Sequence, residues 1–165
     1  VYTDGACPNN QDSGVRRAGY GIFYGEGDTR NVSARLPGPQ TNNRAEMTAV
    51  LKVLETYLGC VDRSPSSSWL HVVIKTDSKY TEKGILEWLE GWKKSGWKKA
   101  NGTPVLNRDL WEKLDEKWKA LTEFQKQRHG TLTIEHVKGH SNNPGNEAAD
   151  KLAVAGAWKE AVEEV

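Results

Sequence analysis

The chain has 165 residues, enough for one domain with its own core, and its 36% apolar and 27% charged residues are ordinary for a globular protein. Its net charge of +1 does not by itself indicate a nucleic-acid binder, and two cysteines, Cys7 and Cys60, are too few for a disulfide framework or a structural zinc site. No apolar run approaches the roughly 20 residues that span a bilayer, and no signal peptide is recognisable.

In the first half, residues 1–36 predict three strands joined by Gly-rich turns, because the apolar run at 20–24 and the alternating pattern at 32–36 are typical of strands. A helix follows the Pro-Gly break at 36–39. Its apolar stripe consists of Met47, Val50, Leu51, Leu54 and Leu58. Residues 59–68 predict a polar loop, and the β-branched run at 70–74 predicts a strand buried on both faces.

In the second half, helical spacing returns at residues 85–92 and is followed by a basic, aromatic, Gly-broken segment that reaches residue 104. Asn107 is expected to cap the next helix, and Asn146 is expected to cap the last one, after a strand at 132–137. This order of elements predicts a mixed sheet with helices on its faces. No linker or repeat divides the chain, so we expect one domain over residues 1–165.

Four acidic residues stand in distinctive local sequences: Asp4 in Tyr-Thr-Asp-Gly, Glu46 in Asn-Asn-Arg-Ala-Glu, Asp77 in Thr-Asp-Ser and Asp150 in Glu-Ala-Ala-Asp. Asp4 and Asp77 each end a predicted strand, and parallel neighbouring strands bring such residues together at the carboxyl edge of a sheet. Glu46 and Asp150, in the first turns of their predicted helices, can project over the same crevice. Clustered carboxylates repel one another unless cations neutralise them, and hard oxygen ligands suit Mg²⁺ or Mn²⁺.

Each acid also has a purely structural explanation. Glu46 and Asp77 fit helix-cap or helix-dipole positions, and Asp150 can pair with Lys151. A scaffold whose acids are only caps and salt bridges is therefore a competing hypothesis, and it predicts no metal dependence.

These four sequences, together with the loop Gly139-His140-Ser141, resemble ribonuclease H of the type 1 cellular family over essentially the whole chain. The resemblance implies an α/β fold with a five-stranded mixed sheet, the first three strands antiparallel and the last two parallel, flanked by helices. It also implies an endonuclease that hydrolyses the RNA strand of RNA/DNA hybrids by a two-metal-ion mechanism and leaves 5′-phosphate and 3′-hydroxyl ends.

By the same resemblance, Asp4, Glu46, Asp77 and Asp150 are catalytic and hold two Mg²⁺ ions, with Mn²⁺ as a substitute. His140 is expected to assist proton transfer or product release, because an imidazole gains and loses a proton near neutral pH. Glu147 resembles an acid that lies near the second metal.

The resemblance further implies contacts with both strands of the substrate. Three residues match positions that contact RNA riboses, namely Asn10, Asn42 and Asn43, and side-chain amides suit a 2′-hydroxyl that both donates and accepts. The segment at about 92–104 resembles the family's basic protrusion, whose lysines hold phosphates without reading sequence. The implied DNA-strand contacts are Thr41, Tyr80, Trp92, Asn107, Lys93, Lys94, Lys98 and Lys99. Pro39 and Ala100 depart from the pattern, since some relatives carry Arg and Ser there, so the phosphate pocket is expected to be weaker or assembled differently.

Two alternatives stay open beside this interpretation: the ribonuclease H domain of a reverse transcriptase, and a catalytically inactive hybrid-binding module. The basic protrusion favours the cellular form, and the presence of all four acids and His140 argues against the inactive module. We expect a monomeric intracellular protein whose partner is the hybrid and that does not contact membranes. It would reside in the nucleus and/or mitochondrion of a eukaryote, or in the cytoplasm of a bacterium. A chain that starts in a strand and without Met also leaves room for a preceding hybrid-binding domain.

Overall fold

The computed structural model describes residues 1–9, 14–61 and 69–163. The first half forms the strands β1 (Tyr2–Ala6), β2 (Gly19–Phe23) and β3 (Val32–Arg35), the helix α1 (Asn42–Gly59) and the strand β4 (His71–Thr76). The second half forms α2 (Lys79–Lys83), a π-helical turn (Gly84–Trp88), α3 (Leu89–Lys94), α4 (Arg108–Gln127), β5 (Thr131–His136) and α5 (Pro144–Ala157). No helix in these ranges is long and apolar enough to cross a membrane.

The strands form one five-stranded sheet in the order β3-β2-β1-β4-β5. β1 pairs antiparallel with β2, and β2 pairs antiparallel with β3, whereas β4 is parallel to both β1 and β5. This arrangement confirms the predicted fold. The chain reverses its direction of winding between β1 and β4, and ligand crevices form beyond the carboxyl ends of strands at such a switch point.

Helices cover both faces of the sheet around β1. Successive strand residues point to opposite faces, so Gly5 faces α1 while Asp4, paired with Gly21 of β2, faces the side where α5 packs. The core on the α1 side contains Met47 and Leu54 of α1, Ile74 of β4 and Trp111 and Leu114 of α4, all fully buried.

The prediction that β4 is buried on both faces is wrong. Its burial alternates: Val72, Ile74 and Thr76 are buried, whereas His71 is exposed and Lys75 is half-buried. The reason is that α5 packs mainly against β1, β2 and β3, so the second face of β4 stays partly open.

The helix starts also differ from the prediction. Asn143, and not Asn146, caps α5, because its side chain accepts hydrogen bonds from the backbone nitrogens of Gly145 and Asn146. Asn146 is buried inside the first turn. Asn107 does occupy the cap position of α4, but its side chain makes no capping hydrogen bond.

Candidate active site

Three of the four predicted carboxylates converge at the carboxyl edge of the sheet. One carboxylate oxygen from each of Asp4, Glu46 and Asp77 lies within 4.8 Å of the other two. The group opens on a crevice of about 530 Å³. The same crevice is lined by Asp150, His140, Asn42, Asn43, Tyr80, Cys7, Ser78 and Lys79.

The parallel pairing of β1 and β4 places Asp4 beside Asp77. Thr3 is in register with Thr76, so the two acids are the next residues along adjacent parallel strands. The backbone N–H of Gly5 donates to Asp4 Oδ1 at 2.8 Å and orients that carboxylate. The topology alone therefore brings together two acids that are far apart in sequence.

Glu46 reaches the same point because α1 lies directly on β1 at Gly5. A Cβ atom at Gly5 would lie 2.4 Å from the backbone nitrogen of Glu46 and 2.6 Å from the carbonyl carbon of Ala45. No side chain fits there, so the backbones of the helix and the strand make direct contact. The glycine that follows Asp4 thus sets the distance between the first two carboxylates.

Asp150 approaches from the α5 side. A Cβ atom at Gly21 would lie 2.3 Å from the carbonyl oxygen of Ala149, so α5 rests closely on β2 one residue before Asp150. Asp150 is half-buried and lines the crevice, but it is outside the tight group of three acids. Since α5 begins at Pro144 and α1 at Asn42, Asp150 and Glu46 lie in the second turns of their helices and not in the first.

His140 is exposed on the turn between β5 and α5, at the rim of the crevice. Its φ is 56° and that of Asn142 is 57°. Two non-glycine residues in the left-handed region are uncommon in one short turn, and such backbone occurs at functional loops. Gly139 brings this turn close to Asp77, whose Oδ2 would lie 3.2 Å from a Cβ atom placed there.

The group of three acids is electrostatically incomplete. Burial, reinforced by the charge of Asp77, raises the pKa of Asp4 to about 8. Burial also raises the pKa of Glu46 well above its usual range, with the charges of Asp4 and Asp77 as further causes. Glu46 is only 4% exposed, and its buried Oε2 accepts no hydrogen bond from any described residue. Such a site favours either protons or a bound cation.

Caps and salt bridges do not account for the four acids. Thr41, Ser78 and Asn143 cap α1, α2 and α5 in their place. Within the described part of the chain, none of the four forms an ion pair with Lys or Arg. Converging carboxylates with an unsatisfied buried oxygen fit a hard divalent cation such as Mg²⁺.

Two of the three predicted RNA-strand residues lie at this site. Asn42 and Asn43 are exposed in the first turn of α1 and line the crevice beside Glu46. Asn10 lies outside the described residues. Glu147 is exposed in the first turn of α5 and is not among the residues that line the crevice.

Tyr80 connects the crevice with the predicted DNA-strand residues. Its hydroxyl accepts hydrogen bonds from Asn107 Nδ2 at 3.2 Å and from Trp111 Nε1 at 3.3 Å. Trp92 is half-buried, with its ring centroid 5.4 Å from that of Trp111 and 5.5 Å from that of Trp88. Trp92 therefore packs in an aromatic cluster and exposes only part of its ring.

The protrusion lysines differ in their surroundings. Lys93 Nζ lies 3.1 Å from Asp115 of α4 and 3.4 Å from Glu90 of α3, so it ties the two helices together. The other three are exposed and form no ion pair with a described residue: Lys94, Lys98 and Lys99.

Sequence patterns did not indicate two contacts near the site. The guanidinium of Arg44 donates to both carboxylate oxygens of Asp109, at 2.9 and 2.7 Å, and this bond lowers the pKa of Asp109. His136 Nε2 lies 3.2 Å from the carbonyl oxygen of Asp77. Both contacts join residues about 60 positions apart, at separations of 65 and 59, so no local motif reports them.

A family model described as RNase H matches residues 1–158. The chain is 38% identical over 157 residues to Ribonuclease H1 of Rattus norvegicus, a match that covers 95% of this chain and 49% of the rat protein. It is 40% identical over 157 residues to Ribonuclease H of a Cyanothece strain, covering 94% of this chain and 86% of that relative. The chain thus spans about half the length of the mammalian relative and most of the bacterial one.

Among solved structures, the foamy viral protease-reverse transcriptase in complex with an RNA/DNA hybrid superposes with a TM-score of 0.68 at 22% identity. The match covers 95% of this chain and 19% of the viral chain. This likeness concerns the fold alone.

Proposed function

The chain belongs to the ribonuclease H family of enzymes, and from that premise we propose that it is an endonuclease that hydrolyses the RNA strand of RNA/DNA hybrids by a two-metal-ion mechanism. The observation that carries the proposal is the convergence of Asp4, Glu46 and Asp77 within 4.8 Å, in a crevice shared with Asp150 and His140. An inactive hybrid-binding module has no need to keep such a destabilising group of acids together.

The cellular form is favoured over a reverse-transcriptase domain. The chain is 38% and 40% identical to relatives named Ribonuclease H1 and Ribonuclease H, but 22% identical to the viral enzyme. Because the chain covers only 49% of the rat relative, the activity and partners of any longer protein are part of this proposal. We include a monomeric state and a preceding hybrid-binding domain in it.

Bound divalent ions, Mg²⁺ or Mn²⁺, would activate the attacking water and stabilise the leaving 3′ oxygen. Asp4, Glu46 and Asp77 supply the central ligands, and Asp150 adds a ligand from the α5 side. Attack at phosphorus with departure of the 3′ oxygen gives products that end in 5′-phosphate and 3′-hydroxyl. His140, exposed at the rim, assists proton transfer during the reaction or the release of the product. Glu147 contributes negative charge from the first turn of α5.

Hybrid selectivity would come from two sides of the crevice. Asn42 and Asn43, beside Glu46, can donate to and accept from RNA 2′-hydroxyls. Tyr80 and Trp92 present aromatic surface toward the DNA strand, where a 2′-hydroxyl would clash, while Thr41, Asn107 and the protrusion lysines hold its phosphates. Asn10 is assigned to the contacts with the RNA strand from its position in the sequence.

The test is a cleavage gel. End-labelled RNA paired with DNA is incubated with the protein in Mg²⁺ and, separately, in EDTA, beside single-stranded and duplex RNA of the same sequence. We expect cutting of the hybrid alone and only in Mg²⁺, with product 5′ ends that serve a 5′-phosphate-dependent exonuclease and 3′ ends that a polymerase extends. Binding without cutting in either metal would establish the inactive module instead.

A further inference from the structure

The side chain of Asn107 does not serve its own helix. Asn107 stands at the cap position of α4 with φ 61° and ψ 28°, yet it makes no capping hydrogen bond. An Asn at this position commonly accepts from the first backbone N–H groups of the helix. Here Oδ1 accepts from Arg44 Nη1 at 3.4 Å, while Nδ2 donates to the hydroxyl of Tyr80 at 3.2 Å. The amide therefore bonds to residues of α1 and α2 and not to its own helix.

Arg44, which contacts that amide oxygen, is itself held firmly. It is 9% exposed, and its guanidinium meets Asp109 in a two-point contact at 2.9 and 2.7 Å. Its backbone N–H donates to Thr41 Oγ1 at 3.2 Å. One residue therefore links Thr41 and Asn107, two of the residues proposed to hold DNA phosphates.

We infer that Arg44 and Asp109 are positioning residues for the contact with the DNA phosphate: Asp109 locks the Arg44 guanidinium, and the guanidinium fixes the Asn107 amide with its oxygen inward and its Nδ2 toward the DNA strand. The inference rests on the proposed function, because it concerns binding of the hybrid.

The chemistry of the donors and acceptors makes Arg44 decisive. A guanidinium only donates hydrogen bonds. It can therefore bond to the amide oxygen, which accepts, but not to the amide nitrogen, which donates. The hydroxyl of Tyr80 both donates and accepts, so it does not choose between the two orientations. A phosphate only accepts, and it therefore needs Nδ2, which has a second N–H beyond the one given to Tyr80. Loss of Asp109 removes the two-point contact that orients the guanidinium, and the amide can then rotate by half a turn.

The test measures the effect of single neutral phosphates. Hybrids carry one methylphosphonate, moved stepwise along the DNA strand, and the KM and kcat of RNA cleavage are measured for each. In the unaltered protein we expect KM to rise roughly tenfold at one position, the value typical of removing a charge-assisted hydrogen bond, with kcat little changed. Asp109→Asn should raise KM for the unmodified hybrid and should abolish most of the extra rise at that position.

Two variants separate positioning from general damage to α4. Asp109→Glu keeps a carboxylate for Arg44 and should restore part of the position-specific effect. Glu112→Gln removes the partner of Arg108, 2.6 Å away on the same helix, and should behave like the unaltered protein. If Asp109→Asn does not fold, Arg44→Lys, which keeps the charge but cannot make the two-point contact, takes its place with the same expectation.

The outcomes are distinct from those of the cleavage gel. An unchanged position-specific effect in Asp109→Asn would overturn the inference while leaving hybrid cleavage intact. The absence of any sensitive position in the unaltered protein would also overturn it, because no single phosphate would then be held. Failure of the unaltered protein to cut hybrids at all would instead reject the proposed function.

Discussion

At the scale of single residues, neighbouring lysines of the protrusion differ in whether their charge is paired. Lys93 lies in a network with Glu90 and Asp115, which Lys119 joins from α4. Lys94 is exposed and has no ion pair with a described residue. A lysine whose charge is already compensated attracts a phosphate less strongly. The four lysines should therefore contribute unequally to binding of the DNA strand.

The first prediction compares these lysines. Replacing Lys94, Lys98 and Lys99 with Ala should weaken hybrid binding and flatten its salt dependence by roughly one unit of log–log slope for each phosphate that the protein no longer holds. Lys93→Ala should leave the slope nearly unchanged and lower the melting temperature only slightly, because surface ion pairs contribute little to stability. Hybrid titrations over a range of salt concentrations, with thermal melts, measure both effects. Equal slopes for the two variants would contradict the assignment.

The second prediction concerns the metal ligands. Asp77→Asn removes a charged ligand without touching a proposed nucleic-acid contact, so kcat should fall by at least about 100-fold while hybrid affinity in EDTA stays within about threefold. Glu87→Gln, an exposed acid on the π-helical turn, is the matched control and should keep full activity. Near-normal turnover by Asp77→Asn would reject the role of the acids as metal ligands.

At the scale of elements, the site depends on how closely α1 and α5 approach the sheet. Gly5 lets α1 contact β1, and Gly21 lets α5 contact β2. The approach of α1 brings Glu46 toward Asp4 and Asp77, and the approach of α5 brings Asp150 toward the same two acids. The geometry of the site is thus a property of helix–sheet packing as much as of the acids themselves.

The third prediction tests the approach of α1. Gly5→Ala places a methyl group 2.4 Å from the backbone of Glu46, which must move, and overpacking of this kind costs typically about 1–3 kcal/mol. The displaced Glu46 should also weaken the rise in melting temperature that Mg²⁺ causes. Gly59→Ala, at the end of the same helix with open space around it, should change stability by no more than about 0.5 kcal/mol. Equal stability and equal Mg²⁺ response of the two variants would show that the close approach is unimportant.

At the scale of the whole molecule, the buried acids couple stability to pH. The pKa of Asp4 is raised to about 8 and that of Glu46 is raised as well, whereas both are near 4 in an unfolded chain. Between about pH 4 and pH 8, Asp4 and Glu46 therefore hold more protons in the folded, metal-free protein than in the unfolded chain. Their contribution to the free energy of unfolding then falls as the pH rises through this window.

The fourth prediction follows from that sign. In EDTA the melting temperature should be lower at pH 8 than at pH 6, and Mg²⁺ should raise it more at pH 8, where the acids are more readily ionised. Asp4→Asn should flatten the dependence. Comparison with this variant also removes the opposite contribution of the Val1 amino group, whose pKa is lowered by burial. Superimposable pH profiles for the unaltered protein and Asp4→Asn would contradict the coupling.

By itself the sequence determined the order of the elements and the mixed sheet, and it singled out four acids, three of which converge in the structure. These features are readable because each is local: alternation reports a strand, a 3.6-residue stripe reports a helix, and an acid at the end of an apolar run reports a strand end. Local patterns do not distinguish Asn143 from Asn146 as the cap of α5, because Asn suits the cap position at either residue. The path of the backbone determines which of the two is the cap.

The tertiary structure alone decided how the acids and amides face one another. The depth at which Glu46 is buried, the hydrogen bonds of the Asn107 amide and the pairing of Lys93 all depend on residues from other elements. Arg44 and Asp109 are 65 positions apart, and their contact exists only because α1 and α4 pack side by side. Local patterns report which face of an element is buried, whereas hydrogen bonds and ion pairs form over a few ångströms and are set by how the elements pack.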